Sequence, residues 1–277
     1  MAIEFLESIQ KGEVSKLTNY ETMELEQVDD VLTVTLNRKN NLNAMNLTMI
    51  KELIQLCDWL REERSVHYVV FTNQGRIFSA GADVFEMFEG MDDEDFKNEE
   101  LRRMQLVGQE MIRKLESMEQ ITIAAINGSA YGGAVAIALT ADFRLLTENS
   151  VLNLPETNIG LFLTWGCTPR LVKTVGALKA KEMIMLCEDI SAEESVQWGL
   201  VNKVVAKDQL KQEVDSIIAK IRTKGSHSIR LTKKMINASA APNFGEIVMT
   251  ENELVEKVVL AGETKRKLEE FHLSKQK

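Results

Sequence analysis

The chain has 277 residues, 44% of them hydrophobic and 27% charged, which is enough to bury the core of one or two domains. Its 33 basic and 42 acidic residues leave a net charge of -9, which argues against a general binder of nucleic acid or of anionic membranes. No run approaches the roughly 18 consecutive apolar residues of a membrane span, and the first residues lack the apolar stretch of a secretory signal.

The cysteines Cys57, Cys167 and Cys187 are odd in number and lie far apart, without the paired spacing of a zinc site. Such cysteines are typical of buried or spare thiols in a reducing compartment. We therefore expect a cytoplasmic protein that has no disulfide framework and binds no metal.

The hydrophobic pattern predicts strands that alternate with helices. Four apolar runs predict strands, at residues 31–36, 67–72, 121–127 and 141–146, and the first of them follows a turn at Asp29 and Asp30. Asn46 is suited to cap a helix whose apolar residues recur at helical spacing, at Met49, Leu53, Leu56, Cys57 and Leu60. This order is typical of an α/β fold, here with a recurring ββα theme.

The composition divides the chain into three parts. Residues 1–20 are polar and mixed, and we interpret them as an N-terminal extension. Residues 21–205 are predicted to form the α/β core, and residues 206–277 a region of amphipathic helices rich in Lys and Glu. Residues 86–100 are strongly acidic, which predicts a solvated, mobile loop and helix start; the alternative is a lid over a site.

Two turns made of small residues follow predicted strands. They are residues 78–83 (FSAGAD) and residues 127–134 (NGSAYGGA), and neither has the spacing of a dinucleotide fingerprint or the lysine of a P-loop. Small residues let a ligand approach the backbone, and two N–H groups aimed at one oxygen form an oxyanion hole. An ordinary tight turn explains each loop equally well, so both interpretations remain open at this point.

Glu156 is the only charged residue in the run from 150 to 168. A carboxylate in such surroundings is either a structural acid with satisfied hydrogen bonds or a general base whose pKa is raised by apolar neighbours. The sequence alone favours neither.

Several motifs in the correct order carry a family resemblance between about Glu24 and Val205. They are residues 38–45 (RKNNLNAM), 78–83, 126–133 (INGSAYGG), 141–142, Pro155 and Glu156 with Gly160, Arg170 and Leu171 with Gly176, 191–193 and 199–202. Together they resemble the crotonase (enoyl-CoA hydratase/isomerase) superfamily. The resemblance implies an α/β fold, a crotonase-like spiral of ββα units with a helical C-terminal trimerisation region.

The resemblance also implies the site. The backbone N–H groups of Ala82 and Gly133 would hold the thioester oxygen as it becomes an enolate. Five residues match positions that line the adenine and pantetheine path, and their backbone would make most of the contacts: Leu42, Ala44, Ala80, Asp83 and Val84. No cofactor is implied beyond coenzyme A or phosphopantetheine as part of the substrate.

Two departures from the family pattern narrow the reaction. Hydratases have a glutamate three residues after the oxyanion glycine, where this chain has Ala136, whereas the second glutamate of the pair is retained as Glu156. The loop that seats the attacking water in hydratases carries Thr164 and Trp165 here, which we expect to crowd the water and to narrow the acyl pocket. The alternative for Trp165 is an ordinary aromatic side chain of the core.

We therefore expect an enoyl-CoA isomerase with a single glutamate base. The alternatives are an enoyl-CoA hydratase that uses a displaced acid such as Glu86, a decarboxylase of the same family, or a scaffold that binds acyl-CoA without catalysis. The substrate carrier is CoA or an acyl-carrier protein, and the acyl chain and the pathway (fatty acid or polyketide) stay open. We expect a homotrimer or a hexamer, partly because Leu254, Val255, Val258 and Val259 form apolar helix faces.

Overall fold

The computed structural model of the chain describes residues 20–88 and 94–240, together with residues 265, 266, 269, 270 and 273. The strands are β1 (Met23–Val28), β2 (Val31–Leu36), β3 (Tyr68–Asn73), β4 (Ile121–Ile126), β5 (Ala130–Tyr131), β6 (Phe143–Thr147), β7 (Val151–Asn153), β8 (Ile190–Ser191) and β9 (Lys203–Val205). The helices are α1 (Leu47–Glu62), α2 (Val84–Phe88), α3 (Glu94–Glu116), α4 (Gly133–Thr140), α5 (Cys167–Leu186), α6 (Ala192–Gln197), α7 (Leu210–Arg222) and α8 (Ser226–Ser239). Short 3₁₀ turns lie at Lys39–Asn41, Glu156–Ile159 and Lys207–Gln209.

Six strands form the main sheet, in the order β1-β2-β3-β4-β6-β9. All neighbours are parallel except β1 and β2, which form an antiparallel hairpin at the edge. The four predicted strands are confirmed, three of them with small shifts of their bounds, whereas β1 lies outside the strands predicted from the sequence. Every residue of β4 is buried, as expected for a strand covered on both faces of a parallel sheet.

Helix α1 begins as the sequence predicts. The Asn46 side chain accepts a hydrogen bond from the Met49 N–H at 3.0 Å, which satisfies one of the free donors of the first turn. The five apolar positions predicted for its inner face are all buried. Capping and amphipathicity therefore both set this helix against the sheet.

A second sheet of three short strands, in the order β5-β7-β8, brings distant parts of the chain together. Strand β5 runs parallel to β7, so that Tyr131 lies opposite Asn153. Since β5 leads into α4 and β7 leads into the 3₁₀ turn at Glu156–Ile159, this small sheet places the start of α4 beside Glu156.

The last described helices, α7 and α8, follow β9. Helix α7 buries Leu210, Val214 and Ile218 against the sheet, and α8 is anchored through Lys233.

The division of the chain at 205/206 stays a prediction. The apolar positions 254, 255, 258 and 259, most of residues 1–20 and the side chains of most of the acidic segment 86–100 lie outside the described residues. Among the helices of the described part, none has the length and apolar composition of a membrane span.

The Lys233 ammonium crosses from α8 to the N-terminal ends of β4 and β6, two inner strands of the sheet. It donates to the Asp142 carboxylate and to the Gln120 carbonyl, both at 2.7 Å, and the same carboxylate oxygen accepts from the Thr122 N–H and hydroxyl. The Lys233 side chain is only 7% exposed. The Lys233 ammonium and the Asp142 carboxylate thus form an ion pair that is largely shielded from solvent.

We predict that Lys233→Met lowers the free energy of unfolding by about 3 kcal/mol, because it leaves a buried carboxylate without its cation. The neighbouring Lys234 is a matched control, because its side chain is 57% exposed and pairs with Glu119 on the surface. Lys234→Met should cost less than about 1 kcal/mol. Urea denaturation measures both, and equal losses would contradict the anchoring role of Lys233.

Candidate active site

The two small-residue turns predicted from the sequence lie side by side. Tyr131 N–H donates to the Ser79 carbonyl at 3.0 Å, and Phe78 N–H to the Ser129 carbonyl at 2.9 Å. Gly81, at φ +84°, is the point of closest approach, since a Cβ there would lie 2.6 Å from the Tyr131 carbonyl oxygen and 3.2 Å from the Gly133 nitrogen. Only glycine fits this contact, which brings the first loop against the start of α4.

The backbone N–H of Ala82 stands out within the run 80–84. The N–H groups of the other four residues donate within the protein, at Ala80 to Leu42, at Gly81 to Ser79, at Asp83 to Met45 and at Val84 to Ala82. Residue 82 pairs with Met45 in a parallel bridge whose two hydrogen bonds use Gly81 and Asp83, so its own N–H faces the other way.

Gly133 is the first residue of α4, where an N–H has no carbonyl one turn earlier. Gly132 precedes it at φ +52°, and the Gly132 N–H is held by the Asn153 carbonyl at 2.9 Å. Within residues 20–88 and 94–240, neither the Ala82 nor the Gly133 N–H donates a hydrogen bond. The geometry therefore presents two free donors on adjoining loops, as the oxyanion interpretation requires.

The Glu156 carboxylate lies against the same turn. A Cβ on Gly132 would be 2.6 Å from Oε1 of Glu156, and Oε2 is buried without a hydrogen-bond partner among the described residues. Burial raises the pKa of Glu156 to about 7, and the residue's own backbone N–H offsets part of this rise. The interpretation of Glu156 as a fully hydrogen-bonded structural acid does not fit this setting, whereas that of a base poised near neutral pH does.

The Trp165 indole is both a core side chain and a neighbour of the site. It is 5% exposed, and a Cβ on Gly133 would lie 2.5 Å from its ring and 2.8 Å from the Met45 methyl. On its other side, a Cβ on Gly108 of α3 would lie 2.1 Å from the indole nitrogen. Two glycines thus make room for one indole, and a φ of +57° at Trp165 directs it there. Thr164, the preceding residue, is partly exposed, and its backbone carbonyl accepts a hydrogen bond from the Cys167 N–H at 3.1 Å.

The residues predicted to line the CoA path lie along the first loop and the chain before α1. Their N–H groups all donate within the protein, at Leu42, Ala44, Ala80, Asp83 and Val84. If the backbone of these five residues contacts the substrate, it does so through carbonyl oxygens. The predicted contacts are therefore limited to hydrogen bonds that the substrate donates. The Asp83 carboxylate is engaged by Arg38 at 2.9 Å.

Glu86, which we considered as a displaced acid, is held on the surface near the start of α1. Its carboxylate accepts from Asn46 at 3.1 Å and pairs with Arg38 at 3.4 Å. The remainder of the expected lid segment has no described side chains. No second carboxylate replaces the one missing at Ala136 by any contact seen in the described part of the chain.

Three neighbours of the site were not predicted from the sequence, namely Met45, Gly108 and Asn153. The position of Gly108 could have been recognised from the sequence, because a glycine inside an amphipathic helix lowers the stability of the helix and often marks close packing against a neighbour. That of Asn153 could not, since its contact with Gly132 depends on the pairing of β5 with β7.

Comparisons with known proteins identify the family to which the chain belongs. The model of the family Enoyl-CoA hydratase/isomerase matches residues 26–276. The chain is 34% identical to the short-chain-enoyl-CoA hydratase of Clostridium acetobutylicum, over 89% of this chain and 96% of that protein. It is 33% identical to the crotonyl-CoA hydratase of Syntrophomonas wolfei, over 79% of this chain and 82% of that protein.

Solved structures show the same fold. An enoyl-CoA hydratase from Bacillus halodurans superposes with a TM-score of 0.83 at 21% identity, covering 90% of this chain and 99% of the other. An enoyl-CoA hydratase from Bacillus anthracis gives 0.73 at 29% identity, covering 92% and 96%. The chain belongs to the enoyl-CoA hydratase/isomerase family and has the crotonase fold, as the motifs predict.

The buried carboxylate has a consequence for stability. The pKa of Glu156 rises from 4.5 to about 7 on folding, so the folded chain keeps a proton that the unfolded chain releases. Stability must therefore fall as the pH rises through this window. We predict that Glu156→Gln is more stable than the wild type at pH 8, by up to about 3 kcal/mol, and nearly equal to it at pH 4.

Denaturant unfolding at the two pH values measures this difference. The exposed Glu188 provides the control, because Glu188→Gln should change stability little at either pH. A Glu156→Gln variant that loses stability at pH 8 would contradict the uncompensated burial of the charge.

Proposed function

We propose that this chain is an enoyl-CoA isomerase that moves the double bond of a 3-enoyl-CoA thioester to C2. Glu156 is the only base, and the Ala82 and Gly133 N–H groups form the oxyanion hole. The observation that carries the proposal is a buried carboxylate with a pKa of about 7 beside two free backbone donors, in a site where position 136 has no ionisable side chain.

The reaction needs one proton shuttle and no added reactant. The Glu156 carboxylate takes a proton from C2, and the electron pair of the C–H bond delocalises into a dienolate whose charge rests on the thioester oxygen. The carboxylic acid so formed returns the proton at C4, and the double bond then lies between C2 and C3. Glu156 ends in its starting state, so atoms and charge balance.

The two backbone donors supply most of the stabilisation of the dienolate. One such donor is worth about 3 kcal/mol in oxyanion holes of other enzymes, because it is fixed in place before the charge develops. The close approach at Gly81 holds the two loops that carry these donors against each other.

Hydration is the second candidate, favoured by the names of the two relatives, which are hydratases. Addition of water by two carboxylates needs one group to activate the water and another to protonate the α-carbon. Ala136 supplies no such group, and Glu86 is engaged elsewhere. Hydration by this chain would therefore rest on Glu156 alone.

We also propose that the chain assembles into trimers or hexamers. Support comes from large apolar side chains that the described surface leaves exposed on α5 and α8, namely Leu178, Met185, Leu231, Met235 and Ile236. The carrier of the acyl group is proposed to be CoA, with an acyl-carrier protein as the alternative.

A panel of thioesters, followed by mass spectrometry, separates the candidates. Short and medium 3-enoyl-, 2-enoyl- and carboxylated enoyl-CoA substrates are incubated in D₂O. Isomerisation leaves the formula unchanged and is read from the separate chromatographic retention of the 2-enoyl and 3-enoyl thioesters, and deuterium enters at C4 to the extent that the proton on Glu156 exchanges with solvent before its return. Hydration adds water, and decarboxylation loses CO₂. Binding of CoA thioesters without any turnover would support the scaffold alternative.

We predict that Glu156→Gln still binds CoA thioesters but loses isomerisation by about 100- to 10,000-fold, the usual contribution of a general base. In the wild type, kcat/KM should fall below pH 7 as the carboxylate becomes protonated, because its pKa is about 7. Steady-state rates from pH 5 to 9 and calorimetric titration of a saturated acyl-CoA measure both effects. A fully active Glu156→Gln variant would refute the single-base mechanism.

We further predict that Ala136→Glu introduces weak hydration of crotonyl-CoA, since it restores a carboxylate three residues after Gly133. Position 136 is fully buried, so the variant should also melt at a lower temperature than the wild type. Ala136→Gln is the matched control, with the same size and no acid. Equal hydration by the two variants would contradict the prediction.

A further inference from the structure

The C-terminal turn of α5 holds the chain on both sides of Glu156. On the far side, the Thr157 hydroxyl donates to the Ile184 carbonyl at 3.0 Å and lies 2.9 Å from the Cys187 sulfur. On the near side, Nδ2 of Asn153 donates to the Cys187 carbonyl at 2.9 Å. The last turn of α5 is thus hydrogen-bonded to both Asn153 and Thr157, and Glu156 lies between these two residues in the chain.

The geometry of the turn fits this role. Cys187 ends α5 at φ +54°, a conformation that is costly for a residue with a side chain and that persists only where its surroundings impose it. The Thr157 hydroxyl and the Cys187 thiol both donate to the Ile184 carbonyl, at 3.0 Å and 3.5 Å, and either group can be the donor in the contact between the two. The strained residue therefore offers its carbonyl to Asn153 and places its thiol beside the Thr157 hydroxyl.

Asn153 connects the end of α5 to the turn at Gly132 that precedes the oxyanion donor of Gly133. Its backbone carbonyl accepts from the Gly132 N–H at 2.9 Å, and Nδ2 also donates to the Asp189 carboxylate at 2.7 Å. Since both partners of Nδ2 are acceptors, the orientation of the amide is fixed. The same strand residue is thus tied to the turn that presents the Gly133 N–H and to the end of α5.

We propose that Thr157 is a positioning residue for the base, which acts by anchoring the 3₁₀ turn of Glu156 to the end of α5. The proposal rests on the proposed role of Glu156. Thr157 itself is exposed and belongs to no part of the core, so its hydroxyl contributes little else to the fold. Its two contacts fix the peptide that follows Glu156, and with it the direction of the carboxylate toward Gly132.

Loss of this anchor has two consequences at the active site. The carboxylate gains freedom to move, and a misplacement of about 1 Å can cost up to 100-fold in rate. Water also gains access to a group whose pKa is raised by desolvation, so that the pKa falls toward its ordinary value. Reduced turnover should therefore accompany a shift of the pH profile.

Three variants of the full chain test the proposal. Thr157→Val removes the hydroxyl at nearly constant shape, Thr157→Ser retains it, and Thr223→Val removes an exposed hydroxyl that donates to the Lys220 carbonyl at the end of α7. For each we measure kcat, KM and the pH dependence of kcat/KM on a short 3-enoyl-CoA, with thermal melting to verify the fold.

For Thr157→Val we expect kcat to fall about 10-fold with KM within about 2-fold of the wild type, because binding is retained while the geometry of the base is not. The acidic limb of the pH profile should move to lower pH. Thr157→Ser should restore both properties, and Thr223→Val should match the wild type.

The proposal is overturned if Thr157→Val leaves kcat unchanged, if kcat falls without movement of the acidic limb, or if Thr157→Ser fails to restore it. Glu156→Gln, assayed in parallel, separates this failure from that of the proposed function. An inactive Glu156→Gln beside an unaltered Thr157→Val refutes the positioning role alone, whereas an active Glu156→Gln refutes the base itself.

Discussion

The burial of the Glu156 carboxylate against the Gly132 backbone is the constraint on which the site depends. A carboxylate with one oxygen buried away from water and from any hydrogen-bond partner among the described residues is unfavourable when charged. The chain tolerates it because the pKa rises to about 7 and the group can take up a proton. The stability that this costs at higher pH comes from elsewhere, above all from the large core that joins the main sheet to α1, α4 and α5. Reactivity near neutral pH and the cost of burial have the same physical origin.

Close approach of backbone to backbone is the second requirement. Gly81 lies against the Tyr131 carbonyl, and Gly132 lies against the Glu156 carboxylate, so a side chain at either position would separate groups that must be adjacent. The oxyanion donors are main-chain atoms, which means that sequence specifies them only indirectly, through the glycines that let the loops meet. The site is therefore built more from backbone geometry than from the identity of its side chains.

Local features of the fold could be predicted from the sequence, whereas contacts between distant segments could not. The cap at Asn46 and the strand Val31–Leu36 follow from side-chain chemistry and hydrophobic pattern within a few residues. Strand β1 was missed because it buries only two side chains, Met23 and Leu25, and depends on its pairing with β2.

The same distinction holds for the site. The uncharged run around Glu156 singles out this residue, the family resemblance adds Ala82 and Gly133, and the structure brings the three residues together. The contact between Gly108 and Trp165 joins positions on α3 and on the loop before α5, and no periodicity within either segment encodes it. The use of every N–H in the run 80–84 except that of Ala82 likewise emerges only from the folded loops.

Helix α4 connects the missing second glutamate to the position of Trp165. All eight of its residues are buried, so an ionised side chain at Ala136 would have to be paired or hydrated within the core. In this chain the space over the first residue of α4 is instead filled by the Trp165 ring and the Met45 methyl, both apolar. An apolar filling disfavours a charged group and an ordered water alike, since neither finds hydrogen-bond partners there. The absence of an acid at 136 and the apolar filling over Gly133 belong to the same buried helix. Both support the isomerisation proposed above, in which a single proton moves between carbon atoms and no water is consumed.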